Sequence, residues 1–327
     1  MSFSSSLATK AGVGAAAVLA LLVPTVGVDA YQGHDDRRGG NSSSAASVYT
    51  DEISDYGVCR GVDPRCYNDW GNGYADGETK RILIYSHTAG PRHAHLGDRL
   101  APGLNPPLNE TNVAQLGLKK WAEEQGIQVD WTEDPSRLSG LNNYQAVVAL
   151  SANRDAYDDT AQTSLKQYVR RGGGFVGIHN AFGAEYNWPW YEGLLGGANF
   201  YDHRPNRPGT VETLNRRDVS TKNLPREWAF TDEWYNLVPY PSYVRELAKV
   251  DAVTSGTPER ASGHPGHGDE HLVSWCHYYD GGRAWLTTLG HDVAAWTDAE
   301  LEGDEYFKDH VVNGLLSAMG IKPFCAR

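Results

Sequence analysis

Short apolar segments alternate with amphipathic helical segments over residues 81–178, and this alternation constrains the fold of the chain more than any other feature. The apolar segments are bounded by polar residues or glycine, as the buried strands of a parallel sheet are. The predicted strands are Arg81–Ser86, Ile127–Trp131, Ala146–Leu150 and a fourth that ends on His179, and the predicted helices span about Glu110–Gln125 and Asp158–Arg171. Such repeats indicate right-handed βαβ units and an α/β fold with a parallel sheet.

The pattern changes after Phe200, where short strand-like segments follow one another without helices between them. These segments are Val211–Leu214, Glu233–Leu237, Tyr243–Ala252, Leu272–His277 and Arg283–Leu289. A helix from about Tyr306 to Met319 then closes the chain. We therefore expect one α/β domain over residues 81–327 with a β-rich C-terminal half, and not two independent domains.

The N-terminal segment has the features of an export signal. Lys10 precedes an apolar run over residues 11–28, and the small residues Val-Asp-Ala end at Ala30. Residues 1–30 are therefore expected to be a signal peptide that is cleaved on export. Residues 31–55 predict a flexible leader, and residues 56–80 predict an irregular extension with a local disulfide. The mature protein is expected to be secreted, with no membrane segment after signal removal.

Cysteine usage agrees with export, because disulfides persist in oxidising compartments. Cys59 and Cys66 bracket a tight loop that suits a local disulfide. A bond between Cys276 and Cys325 would tie the chain end to a strand-like segment. Four cysteines allow three connectivities, and the sequence alone does not choose among them. No CxxC pair is present, which disfavours a structural zinc knuckle.

Charge and missing motifs exclude several classes of function. The formal net charge is −12 and the Lys and Arg residues are scattered, which argues against nucleic-acid binding and against docking on an anionic membrane. The sequence has no GxSxG nucleophile elbow, no GxGxxG after the first strand and no phosphate-binding GxxxxGK[ST] loop. Ten Trp and eighteen Tyr provide faces on which sugar rings can stack, although aromatic side chains more often fill a core.

Several histidines lie at the carboxyl ends of predicted strands, where α/β sheets bind their ligands. His93 follows the first strand, His179 ends the fourth, and His291 ends the last. A single histidine in such a place is more often structural, but we expect these loops to converge at one edge of the sheet. His203 and Glu233 would add a fourth imidazole and a carboxylate. Imidazole transfers protons near neutral pH and also ligates metals.

Taken together, the motifs resemble those of the ThuA-like, trehalose-utilisation family over about Arg81 to Ile321. The matching segments are Thr88–His93, Arg171–His179, Trp188–Tyr191, Leu195–Gly197, His203, Asp232–Tyr235, His271–Trp275, Gly282–Arg283 and Leu289–His291. The resemblance implies a flavodoxin-like, class I glutamine amidotransferase-like fold, with a mostly parallel sheet flanked by helices. The chain departs from the family at Pro91, where an aromatic residue is usual, and at Leu272, where proline is frequent.

The resemblance also sharpens the role of His179. In glutamine amidotransferases the same strand-to-helix elbow presents a cysteine nucleophile, whereas no cysteine of this chain lies near His179 in sequence. Imidazole does not replace a thiolate in glutamine hydrolysis. We therefore do not expect amidotransferase activity, because function depends on the site and not on the fold.

The leading hypothesis, implied by the family, is a secreted enzyme that acts on a glucoside or keto-glycoside. The residues expected to act as base, acid or metal ligand are His179, His203, Glu233 and His291. Those expected to contact the substrate are Arg92 and His93 as a polar rim, with Trp188, Trp190 and Tyr235 as a stacking wall. A divalent metal such as zinc and metal-free proton transfer both suit these residues.

Two other hypotheses stay open at the level of the sequence. The first is a non-catalytic secreted carbohydrate-binding protein, which the aromatic content fits equally well. The second is a structural domain with a decayed site, which predicts that the histidines diverge in space. The sequence indicates no particular oligomeric state.

Overall fold

The computed structural model describes residues 56–70, 80–251, 264–297 and 302–327. The expected signal peptide and leader, and residues 71–79 of the expected extension, lie outside the described residues. The α-helices are α1 (Val113–Glu123), α2 (Asp159–Arg170), α3 (Pro189–Leu194) and α4 (Asp304–Ala318). The strands are β1 (Arg60–Gly61), β2 (Arg81–Tyr85), β3 (Gln128–Thr132), β4 (Ala146–Leu150), β5 (Gly174–Ile178), β6 (Phe200–His203), β7 (Arg207–Thr213), β8 (Glu227–Asp232), β9 (Tyr235–Leu237), β10 (Arg245–Val250), β11 (Leu272–Tyr279) and β12 (Gly282–Thr287).

One large mixed sheet organises the domain. Its strand order is β3-β2-β4-β5-β12-β11-β10-β7-β8, and β1 pairs with β11. The first five strands of this order are parallel, and β11, β10, β7 and β8 continue the sheet in antiparallel pairs. The α/β fold class with a mostly parallel core and a β-rich C-terminal half is thus confirmed.

Helices cover both faces of the parallel part of the sheet. The strands β4 and β5 are buried along their whole length, because α1 and α4 pack on one face and α2 and α3 on the other. The Asp158 side chain caps α2 by accepting a hydrogen bond from the Ala161 N–H at 2.8 Å. Gly172, with a φ of 94°, ends the helix and turns the chain into β5.

The C-terminal half differs from the sequence prediction near Glu233. The strand β8 is absent from the predicted set, and its alternating burial reflects a strand with one face in the core. The predicted strand Glu233–Leu237 is shorter in the structure, where β9 begins at Tyr235 and pairs with β6 in a separate two-stranded sheet. Glu233 therefore lies in the link between β8 and β9, directly after the carboxyl end of β8.

Two disulfides tie the periphery to the sheet. Cys59 is bonded to Cys66 and Cys276 to Cys325, which selects one of the three connectivities. The second bond joins β11 to the end of the chain. Within the described part of the chain, every helix is too short or too polar to cross a membrane.

Candidate active site

The site is built around an elbow at the carboxyl end of β5. His179 follows the strand with a φ of 51°, is fully buried, and opens a 3-10 helix over His179–Gly183. A positive φ at a residue other than glycine costs about 1–3 kcal/mol and is held only by its surroundings. The His179 Nδ1–H donates to the Thr288 carbonyl at 2.8 Å, so the Nε2 atom carries the lone pair.

Three further side chains meet this Nε2 atom. His93, His291 and Glu233 each offer one ligand atom, and these atoms and that of His179 all lie within 4.8 Å of one another. The His291 Nδ1 atom is 3.0 Å from Glu233 Oε2 and 3.3 Å from His179 Nε2. Glu233 Oε2 is 3.9 Å from His179 Nε2. We call these four residues the His₃Glu cluster.

The sheet topology explains why the cluster forms. Its members follow the carboxyl ends of β2, β5, β8 and β12, and these four strands run in the same direction. Side chains that are up to about two hundred positions apart in the chain therefore meet at one edge of the sheet.

His95 positions the loop that carries His291. Its Nδ1–H donates to the His291 carbonyl at 2.8 Å, and its Nε2 accepts from the Ser151 hydroxyl at 2.9 Å. Burial lowers the pKa of His95 to about 3, so the ring is neutral at physiological pH. His95 is thus a hydrogen-bonded support beneath the cluster.

Asp232 holds two members of the cluster through their backbones. Its buried carboxylate accepts hydrogen bonds from the N–H groups of Gly290 at 2.7 Å, Glu233 at 2.8 Å and His291 at 3.1 Å. Burial raises the pKa of Asp232 to about 7, against the opposing effect of these donors. Because one carboxylate fixes both loops, the separation of Glu233 from His291 depends on it.

The electrostatics of the cluster favour neutral imidazoles at two positions. Burial lowers the pKa of His93 to about 4 and that of His179 well below its usual value, and neighbouring histidines add to both shifts. His291 behaves differently: burial opposes its protonation, but the hydrogen bond and charge of Glu233 outweigh that effect and raise its pKa. His291 Nδ1 thus faces both the Glu233 carboxylate and His179 Nε2, at 3.0 and 3.3 Å.

The donor set fits a divalent cation such as zinc. Three imidazoles and one carboxylate are ligands that Zn²⁺ prefers, and the Thr288 carbonyl orients His179 as an outer partner commonly orients a zinc ligand. The buried Nδ1 atom of His93 has no hydrogen-bond partner among the described residues. Two ligands of a tetrahedral zinc ion, each at about 2.1 Å, lie ~3.4 Å apart. The four ligand atoms here all lie within 4.8 Å of one another, so side-chain movements of about 1 Å would bring them into that geometry.

A cavity of about 150 Å³ opens beside the cluster. Its polar lining includes His93, Glu233, His203, Asn180 and Arg154, and the rest of the wall is formed by Pro91, Gly183, Tyr186, Phe200 and Tyr235. The Tyr235 hydroxyl donates to His179 Nε2 at 2.8 Å. His203 Nδ1–H donates to the Arg204 carbonyl at 2.7 Å and lies 3.4 Å from Glu233 Oε1.

The other residues expected from the sequence lie outside this cavity. The Arg92 guanidinium is turned into the protein, where it pairs with Glu133 at 2.7 Å and donates to backbone carbonyls. Trp188 and Trp190 stack on each other at 4.9 Å in the aromatic core on the α2–α3 face. The Trp190 indole N–H donates to Asp280 at 2.8 Å. These three side chains are held in structural contacts, and the cavity lining does not include them.

Sequence reasoning missed other residues that line the cavity. Asn180 and Tyr186 lie in the same stretch as His179, and Arg154 follows the carboxyl end of β4. The strand-end rule that pointed to His179 applies equally to Arg154 and would have found it. Phe200 carries no local signal, because its place in the wall depends on the pairing of β6 with β9.

Comparisons with known proteins agree with the fold. The family model described as "ThuA: Trehalose utilisation" matches residues 81–317. A ThuA-like protein structure from Bacteroides uniformis is 26% identical, with a TM-score of 0.54 over 76% of this chain and 92% of the other. One from Parabacteroides merdae is 19% identical, with a TM-score of 0.56 over 75% and 91%. No curated protein matches the chain. The chain belongs to the ThuA, or trehalose-utilisation, family.

Proposed function

We propose that the protein is a carbohydrate-active enzyme that binds a divalent cation such as zinc in the His₃Glu cluster and acts on a glucoside or keto-glycoside. The observation that carries the proposal is the convergence of three imidazoles and one carboxylate within 4.8 Å at the base of a cavity. In a domain with a decayed site the histidines would lie apart from one another, whereas the three histidines of the His₃Glu cluster converge.

The size and lining of the cavity support a sugar ligand. A protein cavity of about 150 Å³ holds one six-membered ring. The rings of Tyr186, Phe200 and Tyr235 line the wall, and His203 and Asn180 add groups that can bind hydroxyls. Family membership connects the chain with carbohydrate use in general, and a ring-sized cavity is consistent with that connection.

The chain's own residues supply binding and proton transfer. His93, His179, His291 and Glu233 would hold the cation, which would polarise a sugar oxygen or lower the pKa of a bound water. His203 lines the cavity with its Nδ1–H committed to the Arg204 carbonyl, so its Nε2 atom is the proton acceptor. The buried Tyr235 hydroxyl lies next to the reacting centre as a hydrogen-bond donor.

We also propose that the protein is exported. Both disulfides support this, because such bonds persist in secreted proteins and are rare in a reducing cytosol. The substrate would then be met outside the cell, after removal of residues 1–30.

Metal content and turnover of matched variants test the proposed function. We expect the wild-type protein to bind about one equivalent of zinc per chain, measured by elemental analysis. His291→Ala should lose most of the zinc and the turnover of glucosides and keto-glycosides. His87→Ala is the matched control, because His87 is also a half-buried strand-end histidine but contacts the Glu133 carbonyl instead of the cluster.

Three results would separate the alternatives. Full turnover by metal-free protein would remove the metal from the mechanism. Retention of zinc and turnover by His291→Ala would refute the assignment of the cluster. Calorimetric binding of sugars without product formation, with zinc present or absent, would favour the non-catalytic carbohydrate-binding protein.

A further inference from the structure

We infer that the ligand of this cavity is a sugar ring that bears an oxyanion, and that Arg154 binds this anionic group. The inference rests on the proposed function, because it takes the cavity to be a sugar site. It adds the charge of the substrate, which neither the family nor the His₃Glu cluster specifies.

The backbone of Arg154 is fixed at the rim of the cavity. Its N–H donates to the Gly183 carbonyl at 2.8 Å, and its carbonyl accepts from the Glu185 N–H at 3.0 Å. The loop after β4 is thereby joined to the loop that follows His179. Arg154 has a φ of 57°, a left-handed conformation that residues other than glycine rarely adopt. Such strained residues cluster at functional sites.

The side chain of Arg154 is also held in place. Its Cγ atom packs over Gly90, where an added Cβ would lie only 2.3 Å away, so the glycine is needed for this approach. The guanidinium lies over the Tyr186 ring at 5.4 Å from the ring centre, a cation–π contact on the cavity wall. The arginine is therefore positioned in advance, although it is exposed to solvent.

The charge of Arg154 is not neutralised within the described part of the chain. Among the described residues, no carboxylate lies within ion-pair distance of its guanidinium. Arg92 and Arg170, by contrast, are paired with Glu133 at 2.7 Å and with Asp280 at 3.0 Å. The chain has 41 acidic and 29 basic residues, so acidic partners are abundant. An arginine held at a cavity without one of them is available to a ligand anion.

The chemistry of guanidinium defines the anion. Its planar fork binds a carboxylate or a phosphate through two parallel hydrogen bonds, which an ammonium group cannot do. The cavity has room for one six-membered ring, and Arg154 lies at its exposed rim. The anionic group would therefore lie at the rim, while the ring faces the His₃Glu cluster.

Calorimetry with three sugars tests the inference. Zinc-loaded protein is titrated at low salt with glucuronate, glucose 6-phosphate and glucose. We expect at least one anionic sugar to bind about tenfold more tightly than glucose, as a charge-assisted bidentate contact predicts. Arg154→Gln should lose this preference and change glucose binding by less than about twofold. Arg154→Lys should retain part of it, because it keeps the charge and loses the fork.

Arg171→Gln is the control variant, because Arg171 is exposed at the end of α2 and does not line the cavity. It should leave all three affinities unchanged. Tighter binding of glucuronate assigns a carboxylate, and tighter binding of glucose 6-phosphate assigns a phosphate. Equal binding of all three sugars, or an unchanged preference in Arg154→Gln, would overturn the inference and leave the proposed function intact. A protein that binds none of them, with or without zinc, would overturn both.

Discussion

Replacing Asp232 with asparagine should weaken cation binding without removing any ligand. The carboxylate accepts three backbone hydrogen bonds, and two of the donors belong to Glu233 and His291. One oxygen accepts from both ligands, and the other accepts from Gly290 at 2.7 Å. In Asp232→Asn, an amide NH₂ must face one of these donors, so at least one hydrogen bond is replaced by a donor–donor contact.

The size of the effect follows from these contacts. A hydrogen bond to a charged group contributes about 1.5–3 kcal/mol. If the poorer positioning of the loops makes the free energy of zinc binding less favourable by about 2 kcal/mol, the affinity for zinc falls roughly 30-fold. This lies within the 10- to 100-fold range that follows loss of an outer partner of a metal ligand.

Isothermal titration of metal-free protein with zinc measures the change. The titration is done at pH 8, above the pKa of about 7 that burial gives Asp232, so that the wild-type carboxylate is ionised. Asp218→Asn is the matched control. Asp218 is equally buried and accepts N–H groups from Ser220 and Ala326, neither of which belongs to the site.

Both variants should lose thermal stability, and only Asp232→Asn should lose zinc affinity. Equal zinc affinity in wild type and Asp232→Asn would show that the cluster does not depend on this carboxylate. A similar loss in Asp218→Asn would show that general destabilisation, and not loop positioning, controls metal binding.

Three further predictions concern the site and the stability of the fold. Tyr235→Phe should bind zinc about fivefold more tightly, because its hydroxyl no longer competes for the lone pair of His179; weaker binding would instead identify the hydroxyl as a ligand. Replacing Cys276 and Cys325 together by alanine should lower the free energy of unfolding by ~4 kcal/mol, since the bond closes a 49-residue loop; urea denaturation measures this, and a loss below about 1 kcal/mol would contradict it. Burial lowers the pKa of His310 to about 4, so the unfolded chain takes up its proton first and stability falls as the pH drops from about 6.5 to about 4. This one group lowers the free energy of unfolding by up to ~1.4 kcal/mol per pH unit over that range. In His310→Gln, the free energy of unfolding measured by urea denaturation should therefore depend less steeply on pH.

Local patterns in the sequence predicted the fold and the elbow. Continuous apolar segments such as Ala146–Leu150 are buried on both faces of a parallel sheet, and this requirement is visible within five residues. The residue that ends such a strand lies at the edge of the sheet where α/β folds bind ligands, and this position follows from the strand itself. For that reason His179 could be singled out before its surroundings were known.

Long-range pairing decided which polar and aromatic side chains face the cavity. Arg92 pairs with Glu133, 41 positions away, and Trp190 donates to Asp280, 90 positions away. Such partners satisfy a charge or an indole N–H inside the protein, and no local pattern indicates them. Among the residues that the structure describes, Arg154 has no such partner, and it lines the cavity.

The sequence by itself determined the α/β alternation, the end of each parallel strand and the set of histidines that could carry chemistry. Only the tertiary structure decided that Glu233 follows β8, that Asp232 holds it beside His291, and that the four ligand atoms lie within 4.8 Å. The physical reason is that strand periodicity is a local consequence of burial, whereas a metal-binding geometry depends on how distant strands are ordered in the sheet.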